Sequence, residues 1–154
     1  MLFRSALALQ GQTWTLAHVG DTRAWLLRPA GQAHEMSLLS QDHAFDHPDQ
    51  RSRLTRAIGL DDAVRVDYSQ GELRPGDLFV LTSDGVHGVL APDRLCALVT
   101  RSGSAQQAAD ALVQAALAAG GPDNASALLL RVTGLDARQL GDETRAMQRL
   151  APDR

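Results

Sequence analysis

The sequence predicts an α+β fold, and three observations lead there. The first 40 residues alternate short apolar runs with tight glycine-containing turns, which suit antiparallel hairpins and are too short for parallel crossovers. Two later apolar runs, at 78–81 and 127–132, have strand length. Between them, Ala105, Ala108, Ala109, Leu112, Val113, Ala116 and Leu117 recur at the spacing of one helix face.

In chain order, strands are expected at 3–9 and 13–19, joined by the turn Gln10-Gly11-Gln12. A third strand, 23–28, follows the turn Gly20-Asp21-Thr22. Pro29-Ala30-Gly31-Gln32 then leads into a fourth strand ending near Leu39, so that the four form a meander. Residues 40–62 are polar and turn-rich, a long loop of the kind that often carries function. Strands resume at 64–68 and, after Arg74-Pro75-Gly76-Asp77, at 78–81. Pro92 opens a short helix with Leu95, Leu98 and Val99 on its apolar face. Ser104 and Gln107 form a capping box for the second helix, and Gly120-Gly121 ends it. Beyond Gly134 the chain turns polar, which divides it into a domain at 1–133 and a tail or linker at 134–154.

The 154 residues suffice for one domain with a real core. A net charge of −3 offers no electrostatic footprint for nucleic acid or an anionic membrane. No stretch approaches the roughly 20 apolar residues of a membrane span. The apolar start, Met1 to Leu9, is broken by Gln10 and Gly11 and reads as a strand rather than a leader. The lone Cys96, among Leu95, Leu98 and Val99, reads as a buried structural thiol and suits a reducing, cytoplasmic setting.

Two aspartate-centred turns stand out. Thr82-Ser83-Asp84-Gly85 ends the run at 78–81, and Gly121-Pro122-Asp123-Asn124 precedes the run at 127–132. Carboxylates at strand ends are held by backbone already fixed in a sheet, and two of them on neighbouring strands make half a site for a hard divalent cation. Each alone is also ordinary turn chemistry. Asp21, in Val19-Gly20-Asp21-Thr22-Arg23, repeats the geometry a third time. His87 follows the Asp84 turn closely enough to line the same cleft, or to stand at a helix entry half in water. Asp42, His43, Asp46, His47 and Asp49 could form a two-histidine-plus-carboxylate metal site, but without a rigid element they read as a solvated loop. His18 reads as a satisfied sheet residue. Arg51, Arg53 and Arg56 read as a solvated face before a phosphate-binding one. There is no Walker-type loop, dinucleotide fingerprint, zinc-spaced cysteine set or hydrolase elbow.

Three segments in order resemble the PPM-type (type 2C) metal-dependent serine/threonine protein phosphatases. His18-Val19-Gly20-Asp21-Thr22-Arg23-Ala24 is similar to the family's N-V-G-D-S-R-A, and Leu81-Thr82-Ser83-Asp84-Gly85-Val86 to its L-x-S-D-G-[LV]. Gly121-Pro122-Asp123-Asn124-Ala125-Ser126 is similar to G-S-x-D-N-[IA]-[ST]. Leu54 to Gly59 and Leu73 to Asp77 match intervening segments.

The resemblance implies a sandwich of antiparallel sheets flanked by helices (αββα), with Mg²⁺ or Mn²⁺ in a cleft at one end. It implies Asp84 and Asp123 as ligands of one central ion, and Asp21 with Asp84 at a third ion. Gly85 and Asn124 would shape the turns, and the loop at 40–62 would be a flap beside the cleft. The implied reaction is hydrolysis of phosphoserine and phosphothreonine in a phosphoprotein substrate by metal-bound water.

The family's R-x-x-N-E-D and D-G-x-G-G segments have no counterpart here. The expectation is therefore an N-terminally incomplete domain, the C-terminal portion, with impaired activity. The alternative is a non-catalytic regulatory or binding module of a kinase–phosphatase signalling protein. Ser83 to Gly88 and Gly134-Leu135-Asp136 look most like a bacterial subset in which a protein kinase domain follows in the same chain.

Overall fold

The computed structural model describes residues 4–44, 54–59 and 63–135. Seven strands and three helices follow one another as β1 (Arg4–Gln10), β2 (Thr13–Val19), β3 (Arg23–Ala30), β4 (Ala33–Leu38), β5 (Asp67–Glu72), β6 (Leu78–Thr82), α1 (Asp84–His87), α2 (Pro92–Arg101), α3 (Ala105–Ala118) and β7 (Ala127–Arg131). They form two antiparallel sheets, ordered β1-β2-β5 and β4-β3-β6-β7.

The expected meander is therefore split. β2 does not pair with β3; its second edge is taken by β5, with Thr13 opposite Glu72 and His18 opposite Asp67. The chain leaves one sheet and enters the other at Gly20, whose φ of 108° lies outside strand geometry and favours glycine. Both peptide groups of Gly20 bond to His43 rather than to a strand.

Three boundaries also shift for local reasons. Pro29 lies inside β3, not in a turn; the turn is Gly31-Gln32, with Gly31 at φ 62° and Ala30 opposite Ala33. Pairing with β6 ends at Leu27, so Pro29 has a strand on one side only and its missing N–H is tolerated. β5 begins only at Asp67, late in the expected 64–68 run, and continues through Gly71. A side chain at Gly71 would meet the Trp14 ring at 2.7 Å, so the indole occupies the space glycine leaves open. The aspartate-turn sequence at Asp84 continues into the one-turn helix α1, which periodicity is too short to reveal.

α2 starts with Pro92 at its first turn, as expected. At α3, Ser104 Oγ accepts the Gln107 N–H at 3.1 Å, while Gln107 Oε1 reaches one residue further back, to the Gly103 N–H, also at 3.1 Å.

The four-stranded sheet is buried on both faces, which is why residues 78–81 read as an uninterrupted apolar run. One face presents Trp25, Leu27, Leu78 and Val80 to Val86, Leu90, Leu95, Val99, Ala108, Leu112 and Ala116 of the helical layer. The other presents Ala24, Leu26 and Phe79 to Trp14 and Leu16 of the three-stranded sheet, with Leu73 and Val132 closing the ends. Trp14 and Phe79 meet edge to face at 5.9 Å. Among the described residues no helix covers the outer face of the three-stranded sheet. None of the described helices is long and apolar enough to cross a membrane. Cys96 is only partly buried, packed at the margin of the helical layer rather than inside it; burial and Asp93 push its thiol pKa up.

Register delivers the functional loops to one end. Arg23 pairs with Thr82, and Thr82 with Ala127. The crossover at 20–22, the start of α1 and the loop before β7 are thus neighbours in space.

Candidate functional site

Ser83 fastens the two aspartate turns together. Its N–H donates to the Ser126 carbonyl (3.0 Å), its hydroxyl donates to the Asn124 carbonyl (3.1 Å), and Oγ accepts the Ser126 N–H (2.9 Å). Gly85 lies directly against the Asn124 carbonyl, so close that a Cβ there would overlap it. Gly88 makes a similar approach, with a would-be Cβ 2.6 Å from the Asp84 carbonyl. Gly85 and Asn124 therefore set the two turns against each other through backbone contact.

Each turn then fixes its own carboxylate. Asp84 Oδ1 accepts the Gly85 N–H at 2.9 Å and Asp123 Oδ1 accepts the Asn124 N–H at 2.6 Å. Both aspartates line one open cleft of about 800 Å³, together with Thr22, Ser83 and Asn124 and, from β1, Arg4, Ser5 and Ala6. Asp84 is half-buried and Asp123 exposed.

Asp21 comes to the same end of the sandwich. Its carboxyl is half-buried and one oxygen, Oδ1, is buried without a hydrogen-bond partner. Burial, and next the neighbouring Asp84 carboxylate, push its pKa above the ordinary aspartate value. An orphaned carboxylate oxygen beside a second carboxylate is the donor chemistry that a hard divalent cation takes up, and in that sense the residues fit Mg²⁺ or Mn²⁺. The fit is to part of a coordination shell. Among the described residues no three His, Cys, Asp or Glu side chains converge closely enough to hold an ion by themselves.

Several residues have other jobs than the sequence suggests. His87 does not line the cleft. It closes α1 with Nδ1 3.1 Å from the Thr82 hydroxyl, and burial, helped by Arg23, lowers its pKa to about 4. His43 is neither solvated nor free to bind a metal; at 2% exposure it holds the Gly20 peptide and Asp67. Arg56 grips Asp67 at 2.6 and 3.2 Å instead of presenting a solvated face. That pairing, with the His43 bond second, pulls the Asp67 pKa down to about 2. Asp42 pairs side-on with Arg23, the shortest contact being 2.8 Å. His18 is the satisfied sheet residue it reads as, bonded to Ser5 Oγ (2.8 Å) and the Gln41 carbonyl (3.0 Å). Asp46, His47, Asp49, Arg51 and Arg53 lie outside the described residues, as does the tail from 136.

Sequence reasoning gave no role to Ser83 or to the β1 residues of the cleft wall. Ser83 carries a signal only in hindsight of pairing, because its partners are 41 and 43 residues away.

The family described as Stage II sporulation protein E (SpoIIE) matches residues 6–133. Protein phosphatase PhpP of Streptococcus pneumoniae is 28% identical over 134 residues, which cover 79% of this chain and 54% of PhpP. Among solved structures, PppA, a key regulatory component of the T6SS in Pseudomonas aeruginosa, superposes with a TM-score of 0.77 at 28% identity, covering 84% of this chain and 56% of PppA. The catalytic domain of the serine/threonine protein phosphatase PstP in complex with two manganese ions gives 0.69 at 25% identity, covering 82% and 56%. The chain thus spans about half the length of the curated relatives such as PhpP (54%).

Proposed function

This chain belongs to the Stage II sporulation protein E (SpoIIE) family, and from that membership we propose that it is the phosphatase portion of a protein that hydrolyses phosphoserine and phosphothreonine in other proteins. The domain is residues 1–133, with 134–154 a tail or linker. The observation that carries the reading is the placement of three aspartates at one end of the sandwich, two of them in the cleft wall. Asp84 and Asp123 are aimed by turns that Ser83 fastens together, and Asp21 keeps an unpartnered oxygen beside Asp84. Asp84 and Asp123 would supply part of the shell of one Mg²⁺ or Mn²⁺, and Asp21 with Asp84 part of the shell of another. The ion, when bound, lowers the pKa of coordinated water and neutralises phosphoryl oxygens. The chain's own residues supply the rest: backbone fixed on adjacent strands, an open cleft wide enough for a protein side chain, and Arg4 as a cation on its rim. A phosphoprotein is the substrate, and a protein kinase domain in the same parent chain, in the cytoplasm, is its functional partner. Support for that pairing is the resemblance of residues 83–88 and 134–136 to kinase-linked relatives.

Mn²⁺-dependent release of para-nitrophenol from para-nitrophenyl phosphate, abolished in Asp84→Asn, is the expected result. A specific observation favours a second reading, a non-catalytic regulatory or binding module. The described residues supply only part of a metal shell, and a shell stripped of ligands leaves carboxylates poorly compensated. A folded chain that turns over no phosphomonoester at any Mn²⁺ concentration would decide for the module.

A further inference from the structure

Asp21 stands on a crossover that no strand supports, so something else must hold it. Gly20, immediately before it, is clamped from both sides by one residue. The Gly20 N–H donates to His43 Nδ1 at 3.1 Å, and the Gly20 carbonyl accepts the His43 N–H at 2.8 Å. Because Nδ1 accepts, the ring proton resides on Nε2, which donates to Asp67 Oδ2 at 2.8 Å. Asp67 is in turn held by both terminal nitrogens of Arg56. The ring lies 4.9 Å from the His18 ring, itself tied to Ser5 and Gln41, and is almost fully buried. The connection Arg56–Asp67–His43–Gly20 runs from the segment at 54–59 through the start of β5 to the crossover. It fixes one tautomer of one ring against one peptide group.

We propose that His43 is a positioning residue for the metal-binding carboxylates. Its Nδ1, kept an acceptor by the Asp67 bond at the far side of the ring, holds the Gly20 peptide and so aims Asp21 towards Asp84. This rests on the metal reading of Asp21 and Asp84. It assigns a use to a histidine that touches neither substrate nor metal. Groups that orient a metal ligand from behind set affinity through geometry, and their loss is felt at the ion more than in the fold.

Two substitutions separate that role from simple packing. His43→Asn retains a side-chain acceptor near the Nδ1 position and loses the Asp67 bond. His43→Gln carries its polar end near the Nε2 position and loses the acceptor facing Gly20. Asparagine leaves the larger void of the two, so loss of packing alone would harm His43→Asn more, the reverse of the order expected here. Mn²⁺ binding by calorimetry on the full chain should weaken about ten-fold or more in His43→Gln and stay within about three-fold in His43→Asn. Amide hydrogen exchange at Gly20 and Asp21, which needs no metal, should accelerate about ten-fold in the glutamine variant only. Equal effects of the two variants on both measurements would overturn the proposal and leave His43 a packing residue. Asp21→Asn is the control for the reading beneath it. If it leaves Mn²⁺ affinity unchanged, or if the unaltered chain binds no Mn²⁺, the metal reading fails. The exchange comparison at Gly20 and Asp21 then still decides whether His43 holds the crossover.

Discussion

The two faces of the four-stranded sheet are built to different standards. On the helical side Leu27, Val80, Val86, Leu95, Val99, Ala108, Leu112 and Ala116 are all fully buried, sealed between the sheet and α1–α3. The inter-sheet side has fewer sealed residues, chiefly Leu16, Ala24 and Phe79. Trp14, Leu26, Leu73 and Val132 keep a little exposure, Leu7, Leu81, Leu130 and Leu135 are only partly covered, and the layer opens at one end into the cleft. Asp84 and Asp123 line that cleft, and Asp21 stands at the same end. The difference teaches a division of labour: stability is concentrated where the helices pack, and the chemistry-bearing loops are mounted where the layers part. Sites of this kind need half-paired polar groups, and a sealed layer would make those costly.

The largest test acts on the sealed side. Leu112→Ala should cost about 2–5 kcal/mol in urea-induced unfolding, because the tight layer around it cannot collapse into the void. Mn²⁺ affinity of the remaining folded protein should not change. If affinity falls in step with stability, the two faces are one cooperative unit and the division of labour is wrong.

Next comes the seam between the aspartate turns. Gly85→Ala forces a methyl group into the Asn124 carbonyl, a backbone atom that can yield only by moving the loop. A stability loss of about 1–3 kcal/mol is expected, as for overpacking elsewhere. Here the metal should be lost as well, since the displaced loop carries Asp123. Thermal unfolding with and without Mn²⁺ reads both at once, and a variant that keeps its full Mn²⁺-induced stabilisation would refute the seam as a determinant of the site.

How much of this could be read from residues alone follows the same division. The strand at 13–19 was legible to the residue, because Trp14, Leu16 and His18 alternate with solvent-facing partners. The helix at Ala105–Ala118 was legible because a sealed layer demands a continuous apolar stripe. Asp84, Asp123 and Asp21 were legible as candidates because turn chemistry against an apolar run is a local signal. What was not legible is whatever depends on partners distant in sequence. The split of the meander turns on β5 claiming the edge of β2. The burial of His43 turns on Gly20 and Asp67, 23 and 24 residues away. A loop rich in Asp and His looks solvated when its contacts are unknown. The αββα layering came from the resemblance, and the helices described cover one outer face.

A smaller effect is expected at Asp21, and its sign is the informative part. With a folded pKa raised above its unfolded value, this carboxyl favours the folded state below about pH 3.8 and loses that contribution as pH rises through the folded pKa. At neutral pH the charge is a burden, because Oδ1 is buried without a partner and Asp84 repels it. Asp21→Asn should therefore stabilise the metal-free protein, by no more than about 1 kcal/mol given its partial exposure. The same variant should gain less from added Mn²⁺ than the unaltered chain. A variant less stable than the parent at pH 7 would mean that the carboxylate is satisfied after all, and the metal reading of Asp21 would lose its strongest support.

The smallest effect at neutral pH, namely none, is expected of His87, at the junction between the two regions. Its imidazole closes α1 against the Thr82 hydroxyl, and burial, with Arg23 second, holds its pKa near 4 against an ordinary 6.5. The folded state thus resists a proton that the unfolded chain accepts. His87 contributes stability in full above about pH 6.5, loses it as pH falls towards 4, and adds no further slope below. His87→Gln keeps a polar group near Thr82 without a titrating ring. It should match the parent at pH 7.5 and show a shallower fall in denaturation midpoint between pH 6.5 and 4. Because His87 packs on the helical side and not in the cleft, Mn²⁺ affinity at pH 7.5 should be untouched. A change in affinity without a change in pH slope would move His87 back to the site and redraw the boundary between the two faces.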